Sequence, residues 1–170
     1  MATDWNTAAW FLPFVAPITI WVAWSDLTTM KIPNKAVLAL LAVFVVVGLV
    51  ALPFNDYLWR YAHFGVVIVI GFIVSSLGLM GAGDAKFAAA MAPFIALGDI
   101  GSFLLLLAVT SIAALVLHTA VRFSRLRALF PSWESLRAED DRSFRKKRIP
   151  YGFGLAPALT FYLLIALFNV

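Results

Sequence analysis

The chain contains no cysteine and only two histidines, and just 13% of its 170 residues are charged. Without cysteine it can have no disulfide, no thiolate metal site and no cysteine nucleophile. His63 and His118 are too few and too far apart in the sequence to indicate a metal site. We therefore expect neither a metal nor another cofactor. The scarcity of charge also excludes a soluble domain of this size, because such a domain needs a polar surface.

Hydrophobic residues are what the chain has in abundance, at 63% of the sequence with a mean hydropathy of +0.94. This composition is typical of an integral membrane protein. Most of its apolar stretches approach the length of about 20 residues that a helix needs to cross a bilayer. They cover residues 8–24, 36–52, 64–80, 87–97, 103–121 and 153–170. We predict an all-α polytopic membrane protein that forms a single domain over residues 1–170.

The distribution of positive charge predicts how these stretches are oriented. If the N-terminus is outside and all six stretches cross, twelve of the thirteen Lys and Arg residues lie inside, and only Arg60 lies outside. The fourth stretch is short and contains Pro93, so its length alone would also allow a re-entrant hairpin. A hairpin would place the nine basic residues of loop 122–150 outside, against the positive-inside rule. We therefore predict six transmembrane helices with both termini outside.

Loop 122–150 is the only sizeable polar region, and its net charge is 9 − 4 = +5. Its apolar residues recur at helical spacing, which predicts a short amphipathic helix on the lipid headgroups. These residues are Leu126, Leu129, Phe130, Trp133 and Leu136. We expect the basic run 145–148 to bind anionic lipid. Nucleic-acid binding is not expected, because no recognition module accompanies the basic run.

Two acidic residues, Asp26 and Asp84, stand at the ends of apolar stretches, and the predicted topology places both on the cytoplasmic side. A carboxylate at the edge of a membrane span is costly and usually marks function. Two neighbouring carboxylates tend to hold one proton between them, which suits acid and base catalysis. By contrast, Asp56 and Asp99 fall in short outside turns, where we expect them simply to be solvated.

Asp84 follows two glycines in the run Gly81-Ala82-Gly83-Asp84. We expect these glycines to allow backbone conformations closed to other residues and to leave room for an extended chain. Asp84 also opens the fourth helix, so capping of free N–H groups is its alternative, structural role. The run is not a nucleotide-binding fingerprint, because no strand precedes it and no third glycine follows at the right spacing.

Three motifs together resemble the type IV prepilin peptidases, membrane aspartyl proteases with a GxGD signature. The motifs are Asp26 followed by Ile32-Pro33-Asn34, then Gly81-Ala82-Gly83-Asp84-Ala85-Lys86, then Pro150-Tyr151-Gly152 at the start of the last stretch. The resemblance implies a GxGD aspartyl protease fold with Asp26 and Asp84 as the catalytic pair. It implies substrate-binding or site-shaping roles for Gly81, Gly83, Lys86, Pro33, Asn34, Tyr151 and Gly152. Without reference to the family, Pro33 and Asn34 are expected to shape the start of the second helix, and Lys86 to anchor the topology.

The resemblance also implies a substrate and a place in the cell. Members of this family remove the short leader of type IV prepilins and pseudopilins at the cytoplasmic face of the bacterial inner membrane, which enables pilus assembly. Because the chain has no cysteine-rich cytoplasmic loop, it is similar to the short peptidases of tight-adherence (Flp-type) pilus systems, and N-methyltransferase activity is not expected. The pair would share one proton, so the sequence does not assign the base to either aspartate.

Other functions remain open at this point. A small transporter or structural subunit could use the two acids to handle protons or a cation. Against that, the acids lie near one face, and the two halves of the chain show no repeat. A peptidase for archaellin-like substrates or a presenilin-like protease is also possible. Six spans and the Ser25 before Asp26, where presenilin-like proteases carry tyrosine, disfavour the presenilin-like reading.

Overall fold

The computed structural model describes residues 2–124, 133, 135 and 152–168 of the chain. Nearly all of these residues are helical, and no strand occurs among them. The helices are α1 (Trp5–Thr29), α2 (Asn34–Ala51), α3 (Phe54–Ser76), α4 (Ala82–Met91), α5 (Ile100–Phe123) and α6 (Gly152–Phe168). Two short 3₁₀ turns, Ala92–Phe94 and Leu97–Asp99, connect α4 to α5. The expected amphipathic helix and the lipid-binding run of loop 122–150 lie largely outside the described residues.

Four of the described segments are long and apolar enough to cross a membrane: α1, α2, α3 and Leu97–Phe123, which contains α5. The 17-residue α6 is apolar but shorter. The prediction of an all-α polytopic membrane protein is thus confirmed. Helix α3 begins ten residues before the apolar stretch at 64–80. The apolar stretch starts later than the helix because the first turns of α3 carry polar residues such as Asp56 and Arg60. Hydropathy alone therefore misplaced its start.

The fourth segment is unusual because α4 has only 10 residues, about half of what a membrane span needs. It begins beside the carboxyl end of α1, where Gly83 approaches Ile32. It ends at Asp99, whose carboxylate accepts hydrogen bonds from the N–H groups of Ala2 and Thr3, just before α1. The segment therefore runs from one end of α1 to the other, as expected for a crossing and not for a hairpin. We call these two ends of the bundle the Asp26 end and the Asp99 end.

An aromatic cluster fixes the centre of the bundle. Phe11 of α1, Phe44 of α2 and Phe94 of the first 3₁₀ turn are completely buried. The ring of Phe94 stands edge-on to Phe11 at 4.9 Å and to Phe44 at 5.5 Å, and Tyr57 of α3 stacks on Phe44 at 5.5 Å. Each such pair contributes about 0.5–1.5 kcal/mol beyond the burial of its area. The cluster holds α1, α2 and α3 around the turn in which α4 ends.

Small residues let α3 and α4 approach closely near the Asp26 end. A Cβ atom on Gly71 of α3 would lie 3.1 Å from the Cβ of Ala85 on α4. Close backbone approach of this kind is how membrane helices gain van der Waals contact, since lipid gives them no hydrophobic drive to associate. Because Ala85 follows Asp84 directly, this contact also fixes the position of the Asp84 backbone.

Asp99 is buried, with 3% of its surface exposed, so the expectation that it is solvated was wrong. In addition to the N–H groups of Ala2 and Thr3, the hydroxyl of Tyr162 on α6 donates to its carboxylate at 2.9 Å. The N–H of Ala96 in turn donates to the Tyr162 oxygen. These bonds join the segment before α1, the turn before α5 and the last helix.

Arg60 supports the same end of the bundle, although the sequence suggested only an isolated basic residue outside the membrane. It is 8% exposed, and its guanidinium donates a 3.0 Å hydrogen bond to the carbonyl oxygen of Pro93. The charges of Asp56 and Asp99 also act on this guanidinium. A positive group is thus held beside the turn that follows α4.

Replacing Asp99 with asparagine is expected to destabilise the fold. The amide nitrogen of asparagine cannot accept a hydrogen bond, so at least one of the buried donors around Asp99 loses its partner, at a cost of about 1–3 kcal/mol. Thermal unfolding in detergent would show a lower Tm for Asp99→Asn. Asp56→Asn is the matched control, because Asp56 is exposed. Equal Tm values for the two variants would contradict the buried network.

Candidate active site

The end of α1 is built to turn the chain back on itself. Helix α1 stops at Thr29, and Met30 adopts a left-handed conformation with φ 53°, while its N–H donates to the carbonyl oxygen of Asp26 at 3.0 Å. Left-handed residues of this kind are a common way for a helix to end. The turn returns Ile32 to the neighbourhood of Gly83 and Gly152, so the three sequence motifs meet at one place.

The carboxylate of Asp26 lies against the amino end of α6. Asp26 is only 4% exposed, and its Oδ2 atom accepts a 3.0 Å hydrogen bond from the N–H of Phe153. The N–H of Gly152 also donates to this carboxylate. The first N–H groups of a helix have no partner within it, and the helix dipole there favours negative charge. The contact therefore offsets part of the cost of burying an acid.

The space beside Asp26 leaves no room for a side chain at position 152. A Cβ atom at this position would lie 3.0 Å from the Cγ of Asp26 and 2.9 Å from the Cδ1 of Ile32. Both distances are shorter than ordinary contacts, so a larger residue would push the amino end of α6 away from the carboxylate. The third motif thus contributes a close approach of backbone to acid.

Asp84 lies in the first turn of α4, three residues after the capping residue Gly81. Its carboxylate folds back toward the start of the helix, where the backbone N–H groups of Gly81 and of Asp84 itself lower its pKa. A Cβ atom on Gly81 would lie 2.6 Å from the Oδ2 of Asp84. This position at the start of α4 is consistent with the capping role that the sequence offered as an alternative.

The two glycines before Asp84 are not needed for the reason that the sequence suggested. Gly81 has a φ of −66°, and neither Gly81 nor Gly83 has a positive φ. The expectation of a backbone conformation closed to other residues was therefore wrong. What Gly81 provides is room for the Asp84 carboxylate, whereas a Cβ on Gly83 would make an ordinary 3.5 Å contact with Ile32.

The two carboxyl groups interact electrostatically. Burial first, and then the charge of Asp26, raise the pKa of Asp84 to about 6, while its backbone hydrogen bonds act in the opposite direction. Because like charges repel, this interaction favours a state in which one of the two acids is ionised and the other is protonated. Asp26 is buried and Asp84 is half-buried, so Asp84 is the more accessible of the two acids.

A model of the type IV leader peptidase family matches residues 14–118, which is more than half of the chain. The chain belongs to this family. It is therefore a peptidase, and its family implies prepilin substrates. Both Asp26 and Asp84 lie within the matched residues, whereas Gly152 lies beyond them. Neither a curated protein nor a solved structure matches the chain.

The remaining residues that the sequence singled out are Pro33, Asn34, Lys86 and Tyr151. Pro33 caps α2, and its carbonyl oxygen accepts from the N–H groups of Ala36 and Val37, so Pro33 and Asn34 do begin this helix. Lys86 is exposed on α4. Tyr151 lies outside the described residues. Their proposed roles in substrate binding stay predictions.

Sequence reasoning missed one residue of the site, Ile32. It belongs to the first motif, but the sequence pattern indicates no role for its side chain. Its side chain packs where Gly83 and Gly152 approach the end of α1, and it joins the hydrophobic core. An apolar residue between Lys31 and Pro33 in a predicted loop was the signal that could have identified it.

Gly152→Ala is expected to reduce prepilin cleavage by about a hundredfold, because a shift of about 1 Å in a catalytic group can cost that much. The added methyl group displaces either the Asp26 carboxylate or the amino end of α6. The measurement is the cleavage rate at equal membrane levels of the two proteins. Gly101→Ala is the control, because this glycine also lies in the first turn of a helix and faces open space. Unchanged cleavage by Gly152→Ala would contradict the contact.

The raised pKa of Asp84 predicts how stability depends on pH. The folded protein keeps this proton up to a pH of about 6, whereas the unfolded chain loses it near the ordinary value of 3.8, so ionisation costs stability as the pH rises through this window. Asp84→Asn removes that cost. We expect the Tm of this variant to exceed that of the wild type at about pH 8, and the gap to close at about pH 4. A gap of equal size at both pH values would show that ionisation is not responsible.

Proposed function

We propose that this leader peptidase is an aspartic endopeptidase that removes the short leader of Flp-like type IV prepilins. The observation that carries the proposal is the meeting of Asp26 and Asp84 at one end of a membrane bundle. The two acids are 58 positions apart in the sequence, since 84 − 26 = 58, and the charge of one acts on the other. A half-buried acid with a raised pKa beside a fully buried one is an arrangement suited to acid and base catalysis.

The chemistry follows from one proton shared by two carboxyl groups. The ionised member of the pair removes a proton from a water molecule, which then attacks the carbonyl carbon of the scissile peptide bond. The protonated member donates a hydrogen bond to the developing oxyanion and later gives its proton to the leaving amine. Both carboxylates lie beside backbone N–H groups at the start of a helix, which stabilises the single negative charge of the pair. The roles of acid and base belong to the pair as a unit.

Charge supports a cytoplasmic position for the site in the bacterial inner membrane. Lys31 lies in the loop after α1, and Lys35 and Lys86 lie in the first turns of α2 and α4, all at the Asp26 end. The basic loop 122–150 leaves α5 at this end as well. Short loops rich in Lys and Arg stay inside. This position suits a substrate with a polar leader in the cytoplasm and an apolar helix in the bilayer, since its cleavage site then lies at the membrane boundary.

The basic loop is proposed to bind anionic lipid headgroups and not the leader, because a basic leader would be repelled by its net charge of +5. Within the loop, Trp133 supports a position near the Asp26 end. Its ring stands edge-on to the ring of Trp24 on α1, at 6.4 Å between centroids. Tryptophan side chains are frequent at the membrane interface.

The substrate class and the lack of N-methyltransferase activity are proposed from the amino-acid sequence. The chain has no cysteine at all, so it has no cysteine-rich cytoplasmic loop, and N-methyltransferase activity is not expected. Pseudopilins are proposed as further substrates. Transport of protons or a cation is less well supported, because both acids lie at one end of the bundle and not at its middle.

Co-expression with an Flp-type prepilin tests the two-acid mechanism. We expect wild-type protein to convert the precursor to a shorter product. Asp26→Asn and Asp84→Asn should each reduce this conversion by about 10²- to 10⁴-fold, the usual contribution of a general acid or base. The measurement is the length of the prepilin on a gel, with mass spectrometry of the new N-terminus.

Asp56→Asn serves as the control for loss of a carboxylate elsewhere in the membrane domain, and all variants are compared at equal membrane levels. Cleavage that survives either substitution at Asp26 or Asp84 would break the two-acid mechanism. If the wild type processes no prepilin while either acid is needed for movement of protons across vesicle membranes, the transporter function would replace the peptidase.

A further inference from the structure

A cavity of about 420 Å³ opens between α3 and α5, with α4 as its floor. Its walls include Val66 on α3 and Leu104 on α5, and the side chains that line it are apolar apart from His63. Val66 is 58% exposed and Leu104 is 56% exposed, so the cavity is open toward the surrounding membrane. We call this cavity the α3–α5 groove. Neither Asp26 nor Asp84 lines the groove, and the proposed reaction of the two acids does not explain why it is there.

The groove is continuous with the acid pair along two helices. On α4, Ala88 and Met91 line the groove and follow Asp84 by four and seven residues, so all three lie on one face of the helix. The first of them is about 6 Å from Asp84 along the helix axis. On α6, Leu155 lines the groove and lies one turn after Gly152, which contacts Asp26. Both helices that position the acids therefore lead into the groove.

We propose that the α3–α5 groove binds the apolar helix of the prepilin, on the carboxyl side of the scissile bond. This inference rests on the proposed function. A peptide whose scissile bond lies at Asp26 and Asp84 must continue either into the cytoplasm or along the membrane domain. The groove is an apolar path of the second kind, and its first lining residue on α4, Ala88, is one turn from Asp84. The polar leader leaves in the other direction, at the exposed side of Asp84.

The floor of the groove suits a helix better than a lipid chain. Ala88 and Ala92 are small, and small residues allow the backbones of two membrane helices to approach closely. The volume of about 420 Å³ accommodates the side chains on one face of a helix while its other face remains in lipid. The far end of the groove is formed by Trp59 and Leu97 near the Asp99 end, so the bound helix runs across the membrane beside α4.

Disulfide cross-linking tests the docking without requiring cleavage. The chain has no native cysteine, so single cysteines can be placed at Val66 or Leu104 in an Asp84→Asn background. The probe is an Flp-type prepilin with one cysteine in the first turns of its apolar helix. Val69 on α3 and Leu105 on α5 are matched controls, because they are 58% and 68% exposed but do not line the groove. We expect about tenfold more cross-linking at the groove positions, which corresponds to a preference of about 1.4 kcal/mol.

Kinetics in the active enzyme provide the second measurement. The Val66→Trp substitution places a larger side chain in the wall of the groove, at an exposed position. The Val69→Trp substitution adds the same side chain at an equally exposed position outside the groove. We expect Val66→Trp to raise the KM for the prepilin by about tenfold with little change in kcat, because it removes binding energy that is present before the reaction. A short leader peptide that spans the scissile bond but lacks the apolar helix should be cleaved equally by both variants.

The possible results separate this inference from the proposed function. Equal cross-linking at Val66 and Val69, or an unchanged KM in Val66→Trp, would mean that lipid fills the groove, and the inference would be overturned while the peptidase stands. If Val66→Trp slows cleavage of the short peptide as much as cleavage of the prepilin, the substitution distorts the enzyme generally, and the inference would also be overturned. If no prepilin is cleaved in a manner that depends on Asp26 and Asp84, the function fails, and cross-linking alone decides whether the helix docks.

Discussion

The hydrogen bond from the Phe153 N–H to Asp26 is the interaction on which the site depends. It joins residues 127 positions apart and connects the first helix to the last one. Asp84, at the start of α4, faces the same place, so two helix amino ends converge on two carboxyl groups. Each helix contributes a partial positive charge of about half an elementary charge at that end. These partial charges stabilise negative charge on the two carboxyl groups.

The same chemistry stabilises the other end of the bundle. There, the Asp99 carboxylate accepts hydrogen bonds from two N–H groups in the segment before α1 and from the hydroxyl of Tyr162 on α6. Between the two ends, the hydroxyls of Thr19 and Thr160 lie 2.6 Å apart. Helices α1 and α6 are thus joined by polar contacts at three levels. Because lipid is as apolar as leucine, such contacts and close packing, and not hydrophobicity, decide which membrane helices become neighbours.

Much of this arrangement could be predicted from the sequence, because membrane helices are long apolar runs and the acids stand at their ends. The start of α3 was misplaced, since Arg60 interrupts the apolar run and finds its partner, the carbonyl of Pro93, only in the folded bundle. Asp99 was misjudged for the same reason: its donors lie 96 and 97 positions away for the backbone and 63 for Tyr162. The glycines were recognised, but the cause was not. Whether a glycine serves backbone freedom or space depends on what comes to lie against it, as Asp84 does at Gly81.

Gly152 limits which substitutions this chain can tolerate. Two neighbours near the end of α1, Ile32 and Asp26, each exclude a side chain there. A smaller residue at position 32 could relieve only one of the two clashes. The other clash involves the Asp26 carboxylate itself, which the proposed mechanism requires. Position 152 therefore has no single compensating substitution, and a lineage that loses this glycine would have to rebuild the first and last helices together.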